Sequence, residues 1–501
     1  MIVLENYTFT PGNAGEGTIV INGVFTLESI ASIINVTRGA TIYETVSEHD
    51  RIVSCTVEDG ETTLVLADNT VYWESTDNIQ ILTYSSNQPG SSLSGTTVGA
   101  LDAFNRLRVS QGFTLADYKA TYTSSTEMLT KKSGSGTVAH QANLAAVRIT
   151  NSTGATDYIY RQSRMYHTYQ PGKSQLVLFS FNMYGPQANA KKRIGYYDDR
   201  NGVFFQLAGD GTLSFVQRSY VTGSTVDSPV VTQNNWSVDK CDGTGPSGFD
   251  IDITKTQLLF IDFQWLGVGR IRIGFVHNGN FVVAHEFYHS NILATPYWNQ
   301  PSLPIRYEIT NTAALAQTTY MDAICATVIA EGGYAETGFD FAANSGIRAV
   351  GSVPSSLPLI AIRLKDSVNG QPNRLTIRPS SFSCASPVSG VIVDLYRLQS
   401  HTGITNGSWV DASDGSVVQY NISATGYTIG PDDQLIDSFF VPGGQGNNAP
   451  GAGDIANPSA SKGGFIAQNI DSNDSMAFLL VANSLGNNAT AGAAIQWREI
   501  A

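Results

Sequence analysis

Charge is the first thing this sequence has little of. Asp, Glu, Lys and Arg make up 14% of its 501 residues, against about 25% in an ordinary soluble domain. Basic residues number 29 and acidic residues 42, a net charge of −13. So few Lys and Arg argue against a broad phosphate-binding surface, and no nucleic-acid partner is expected. Cysteine is scarce as well. Cys55, Cys241, Cys325 and Cys384 lie far apart with no C-x-x-C spacing, which argues against a disulfide framework or zinc knuckle and for reduced, partly buried thiols. No run of about 18 apolar residues occurs, so no membrane insertion is expected. The opening Met1-Ile2-Val3-Leu4-Glu5-Asn6 has neither a basic nor an extended apolar region, and synthesis and folding in a cytosol are expected. Amphipathic helical stripes are all but missing.

In their place stand 48 Gly, 22 Tyr and 22 Phe within a chain that is 42% hydrophobic. Turn formers with aromatic and β-branched residues point to an all-β, multi-domain chain. Residues 1–95 read as a small N-terminal β-module, with turns at Asn22-Gly23 and Asp59-Gly60 and an alternating strand in NIQILTY. Residues 96–128 read as a linker and connector. Residues 129–335 fit a jelly-roll-like β-sandwich, and 336–501 a C-terminal β-sandwich interrupted by a loop at 442–464. TNTAALAQTTYMDAICATVIAEGG has some helical character, but its second half alternates and is assigned as strand.

One stretch carries a catalytic pattern. VVAHEFYHSN contains His285, Glu286 and His289 in the H-E-x-x-H order of zinc proteases. The pattern needs a helix, which stacks residues i and i+4 so that both imidazoles reach one ion. Here Asn278-Gly279 precedes it between two alternating apolar runs, a strong hairpin signal. On a strand the two histidines separate by about 13 Å and Glu286 turns to the opposite face. The turn register then pairs Arg272 with His285 and Arg270 with Phe287, cations that disfavour a metal. The other face would carry Ile271, Ile273, Phe275, Val282, Ala284 and Tyr288 as core. The motif is therefore read as coincidental, and no metal, cofactor or enzymatic activity is expected.

Other candidates have simpler structural readings. GVGRIRIG lacks dinucleotide-loop spacing. Asp198 and Asp199 could suggest glycosidase chemistry, but DDRNG reads as a turn. Asp250 and Asp252 fit the solvent face of a strand, and DKCDGTGPSG a structural loop. Tyr297-Trp298 could stack on a sugar, yet beside two prolines packing within the domain is favoured. Trp265 reads as core at the end of a buried strand.

Several of these segments carry a family resemblance. GVFTLESIASIINVTRGATIYE and STDNIQILTY look like the small N-terminal module of uncharacterised virion structural proteins of tailed bacteriophages. DAFNRLRVS resembles the DAFGRLRVS connector of that family, with Asn105 where Gly is common. NNWSVDKCDGTGPSGFDID, FIDFQWLGVGRIRIGFV, HEFYHSNI and LPIRYEITNT resemble its large middle domain; the match is weak after residue 336. The resemblance implies a virion protein assembled in the host cytoplasm, with other virion proteins as partners and no catalytic residues. The favoured place is a tail or baseplate appendage, a fibre or fibre adaptor. Analogy with phage fibres suggests a homo-oligomer, specifically a trimer. The alternatives are a capsid or collar decoration protein, and a tailspike that binds or cleaves a host surface glycan. In the connector, Phe104, Leu107 and Val109 could seat in a neighbouring subunit while Arg106 and Arg108 pair with acidic groups. The competing reading packs this connector on its own middle domain.

Overall fold

A computed structural model describes residues 2–4, 7–12, 17–25, 27–44, 52–58, 60–66, 70, 73–83, 103, 112–335, 337–444, 451–454 and 464–500. The chain divides into two compact units, Met1–Thr97 and Val98–Ala501. It is all-β: among the described residues the helical elements are short 3-10 turns.

The first unit holds two four-stranded antiparallel sheets. One has the order Ile2–Leu4, Ile79–Thr83, Ile30–Asn35, Ala40–Glu44; the other Tyr7–Thr10, Thr18–Asn22, Glu61–Leu66, Ile52–Glu58. Period-two alternation places Ile19, Ile21, Leu64, Ile79 and Ile81 in one buried cluster. A tight turn at Gly60 sets Glu58 opposite Glu61.

The second unit contains two β-sandwiches. In the middle sandwich a seven-stranded sheet runs Met128–Ser133, Tyr158–Ser163, Ile305–Asn311, Ala190–Tyr197, Gly202–Leu207, Leu213–Ser219, Val226–Thr232. It packs on a sheet ordered Thr137–Gln141, Ala146–Asn151, Thr319–Ala330, Gln175–Asn182, Gln257–Phe263, Ile271–His277, Asn280–Phe287, with Phe113–Lys119 also paired to Thr319–Ala330. The chain passes from sheet to sheet repeatedly, as in a jelly roll. The sandwich core is rich in aromatics, among them Phe179, Phe205, Phe215, Phe263, Phe275 and Trp298. The residues assigned above as strand in spite of some helical character, 319–330, form a twelve-residue strand inside the second sheet.

Strand Ile305–Asn311 shows how sequence sets the faces. Ile305, Tyr307 and Ile309 enter the core, so Arg306 and Glu308 lie on the outer face, where alternation usually means solvent. Instead Arg306 is 1% exposed and Glu308 6%. Arg306 donates to Gln162 Oε1 at 2.8 and 2.6 Å, to Asp199 at 2.7 Å and to Glu308 at 3.3 Å. Its guanidinium lies over Tyr160 at 4.0 Å. Arg193 completes the pairing of Glu308 at 2.8 Å.

The C-terminal sandwich packs a six-stranded sheet against a five-stranded one around Ile360, Ile362, Val393, Leu480, Ile495 and Trp497. Its final strand, Ala489–Ile500, sits inside its sheet between Phe339–Asn344 and Thr376–Ser386. The loop expected at 442–464 contains a strand instead, Gly451–Asp454, which adds to the edge of Thr376–Ser386 through small residues that sequence alternation does not mark. Ion pairs Arg397–Glu127 and Lys131–Asp471 tie this sandwich to the middle one.

Candidate functional site

The H-E-x-x-H residues lie on and just beyond a strand, Asn280–Phe287, which follows a two-residue turn with Asn278 and Gly279 both at positive φ. The register differs from the expected one. A β-bulge between Ile273 and Gly274 pairs Ile273 with His285 and Arg272 with Glu286. The extra residue reverses the alternation beyond it. Phe287 therefore enters the core in place of Tyr288, which is 56% exposed. The arginines expected beside His285 accompany Glu286: Arg270 pairs with it at 3.3 Å.

His285 is buried, and its Nδ1 accepts a hydrogen bond from the Ser237 backbone N–H at 3.1 Å. Burial pushes its pKa down to about 4, so the ring is neutral at pH 7. His289 lies against the Tyr297 ring at 4.0 Å and bonds Gln217 Oε1 at 2.8 Å and the Gly269 carbonyl. Burial also raises the Glu286 pKa against the opposing pull of Arg270 and Arg272. The three side chains thus serve three separate structural contacts. Metal analysis of the purified chain is expected to return zinc far below one equivalent, unchanged in H285A. Stoichiometric zinc lost in that variant would refute the strand argument.

The remaining candidates resolve similarly. Asp198 Oδ1 accepts from the N–H groups of Arg200 and Asn201, each at 2.8 Å, in the hairpin turn before Gly202. Asp252 closes an exposed turn through Thr254, and Asp250 forms an isolated bridge to Asp242, so the strand expected there is absent. Asp239 holds DKCDGTGPSG together by accepting from Cys241 and Ser247, both at 2.8 Å. Tyr297 and Trp298 are buried. Trp265, expected as core, follows the end of strand Gln257–Phe263; it is half-buried and donates to the Trp298 carbonyl at 3.2 Å. Three cysteines are at least partly buried, whereas Cys325 is exposed. Phe104, Arg106, Leu107, Arg108 and Val109 lie outside the described residues. Their neighbour Ala103 is buried and accepts from Arg270 at 3.0 Å.

What the sequence did not mark is a cleft between the two sandwiches of the second unit. Its volume is about 250 Å³, and its lining includes Arg200, Asn299, Gln300, Gln371, Arg374 and Leu375. The middle sandwich supplies the Asp198–Asn201 turn and the segment after Trp298. The C-terminal sandwich supplies the hairpin Ser367–Val368/Gln371–Pro372 and the residues following it. Arg200 lies over the Tyr220 ring at 4.5 Å and donates to Gln371 at 2.6 Å. Arg374 lies over Tyr166 at 4.7 Å and donates to the Ile470 carbonyl at 3.1 Å.

No family model matches the chain. No curated protein matches it either. Among solved structures, the Emp47p carbohydrate recognition domain is similar at 8% identity and a TM-score of 0.28, over 45% of this chain and 99% of that one. The CBM2 module of the Lactobacillus casei BL23 phage J-1 evolved Dit is 7% identical with a TM-score of 0.29, over 45% and 99%. A protein of unknown function from Shewanella oneidensis MR-1 is 10% identical with a TM-score of 0.29, over 48% and 95%.

Proposed function

We propose that this chain is a structural subunit of a tailed-phage particle, a tail or baseplate appendage that works through protein–protein contacts without catalysis. The observation that carries the reading is the use to which its reactive-looking groups are put. His285, Glu286, His289, Asp198, Asp199 and Asp239 are each bonded within the fold, and charged pairs join the two sandwiches of the second unit. Such commitments suit a rigid structural module. The resemblance of the N-terminal module, connector and middle domain to phage virion proteins agrees with it. Contacts between copies, in a homotrimer, have surface available: edge strand Gln434–Val441 exposes Leu435 and Phe440.

Antibodies raised against residues 336–501 and viewed on intact particles by electron microscopy test the proposal. Label is expected on the tail or baseplate. Label on the head or collar would move the chain to the decoration class, and unlabelled particles would refute a virion role.

A further inference from the structure

We propose that the cleft between the two sandwiches binds an anionic saccharide, with Arg200 and Arg374 holding its acidic group and amide side chains holding its hydroxyls. The hydrogen-bond inventory carries the argument. Each guanidinium is immobilised by a tyrosine ring and by bonds from Nη1 alone, Arg200 to Gln371 and Arg374 to the Ile470 and Asn469 carbonyls. The Arg200 Nε and Nη2, and likewise those of Arg374, have no hydrogen-bond partner among the described residues. Such pre-set planar forks match a carboxylate or phosphate.

The amide orientations follow from the same network. Asn201 Oδ1 accepts the Tyr220 backbone N–H at 3.2 Å, so its Nδ2 donates to Asn299 Oδ1 at 2.6 Å. The Asn299 amide nitrogen is thereby left as a donor. Gln371 must present its oxygen to Arg200, which has no acceptor, and its nitrogen is left in the same way. Gln300 makes no side-chain hydrogen bond among the described residues and adds one donor and one acceptor. The lining is therefore rich in donors and poor in acceptors.

Charge points the same way. Asp198 also lines the cleft. Its Oδ1 serves two backbone N–H groups, and its Oδ2 accepts from Tyr166 at 3.2 Å. Two cations therefore outnumber one carboxylate, whose oxygens are already engaged, in the lining of a chain whose net charge is −13. The ligand that fits is acceptor-rich, carries an acidic group and has hydroxyls for the amides, with Leu375 and Val368 offering an apolar wall to a ring face. A volume of about 250 Å³ suits a short stretch of glycan, since whole small-molecule sites begin near 300 Å³. That this glycan belongs to a host surface rests on the appendage reading; the binding itself does not.

Titration calorimetry on the full chain provides the test, with a hyaluronan tetrasaccharide as the carboxylate probe, glucose 6-phosphate as the phosphate probe and chitotetraose as the neutral control. At least one acidic probe should bind, more tightly than chitotetraose and less tightly as salt is raised. R200Q and R374Q should each weaken that binding about tenfold. The acidic probe that binds more tightly identifies which acid the site prefers. If an arginine variant also lowers the melting temperature, Q300A decides, because its side chain makes no hydrogen bond within the described fold. Loss of affinity in Q300A supports the site, and unchanged affinity overturns it. Failure of both acidic probes to bind, or undiminished binding in R374Q, also overturns it. Unlabelled particles with intact binding would refute the appendage reading alone.

Discussion

Arg306→Ala is expected to lower the stability of the middle sandwich by about 3–5 kcal/mol, the usual cost of breaking a buried ion pair on one side. For a domain of this size that corresponds to a fall in melting temperature on the order of 10 °C. Removal of the guanidinium strips Gln162 Oε1 of two donors and leaves Glu308 to Arg193, Tyr197 and Thr310. Lysine should restore only part of the loss, because a point charge cannot span Gln162, Asp199 and Glu308 together. Calorimetry checks both variants, and a melting temperature in R306A within a degree or so of the parent would contradict the account.

The same network fixes a pH dependence. Burial alone would raise the Glu308 pKa, but Arg193, Arg306 and Arg218 overcome it and hold the carboxyl down from 4.5 to about 2. A depressed carboxylate stabilises the fold fully above its unfolded value and loses that contribution as pH falls through the folded value. The Glu308 contribution is thus complete above pH 4.5 and disappears toward pH 2. The gap between parent and R306A should shrink across that window.

Trp298→Ala should cost a similar ~3–5 kcal/mol through the cavity it opens. Trp298 is fully buried, packed on Phe263 at 5.5 Å and Tyr297 at 4.7 Å between ring centroids. Its indole N–H is buried without an acceptor among the described residues. Trp298→Phe deletes that unsatisfied donor and keeps most of the ring, so it should cost far less than alanine. Equal losses in the two variants, read by thermal melts, would mean that the indole nitrogen has a bonding role after all.

The contrast between hairpin and bulge marks how far the sequence could be read. Asn278-Gly279 announces its turn locally, because both residues tolerate positive φ, and the strand over the H-E-x-x-H residues follows. The bulge had a fainter sign in Gly274, an isolated glycine inside a strand. A Cβ there would lie 2.0 Å from the Val282 carbonyl oxygen. The Arg306 network stayed hidden because alternation distinguishes the two faces of a sheet, not whether the outer one is covered. The cleft stayed hidden for a different reason: Arg200 and Arg374 are far apart in sequence, and neither segment has a motif of its own. Gly451–Asp454, rich in glycine, reads locally as loop and becomes strand only beside Thr376–Ser386.

The place of Ala489–Ile500 bears on the order of events during synthesis. This strand lies between two that emerge from the ribosome long before it, with Phe339 opposite Glu499 and Thr376 opposite Ile500. Until Ala489–Ile500 leaves the exit tunnel, Phe339–Asn344 and Thr376–Ser386 lack the strand that joins them. The middle sandwich, whose strands end at Ala330, has every strand in hand while the C-terminal sandwich is still being translated. The C-terminal sandwich closes only once Ala489–Ile500 has emerged, so the two walls of the cleft mature in turn, the one from the middle sandwich first.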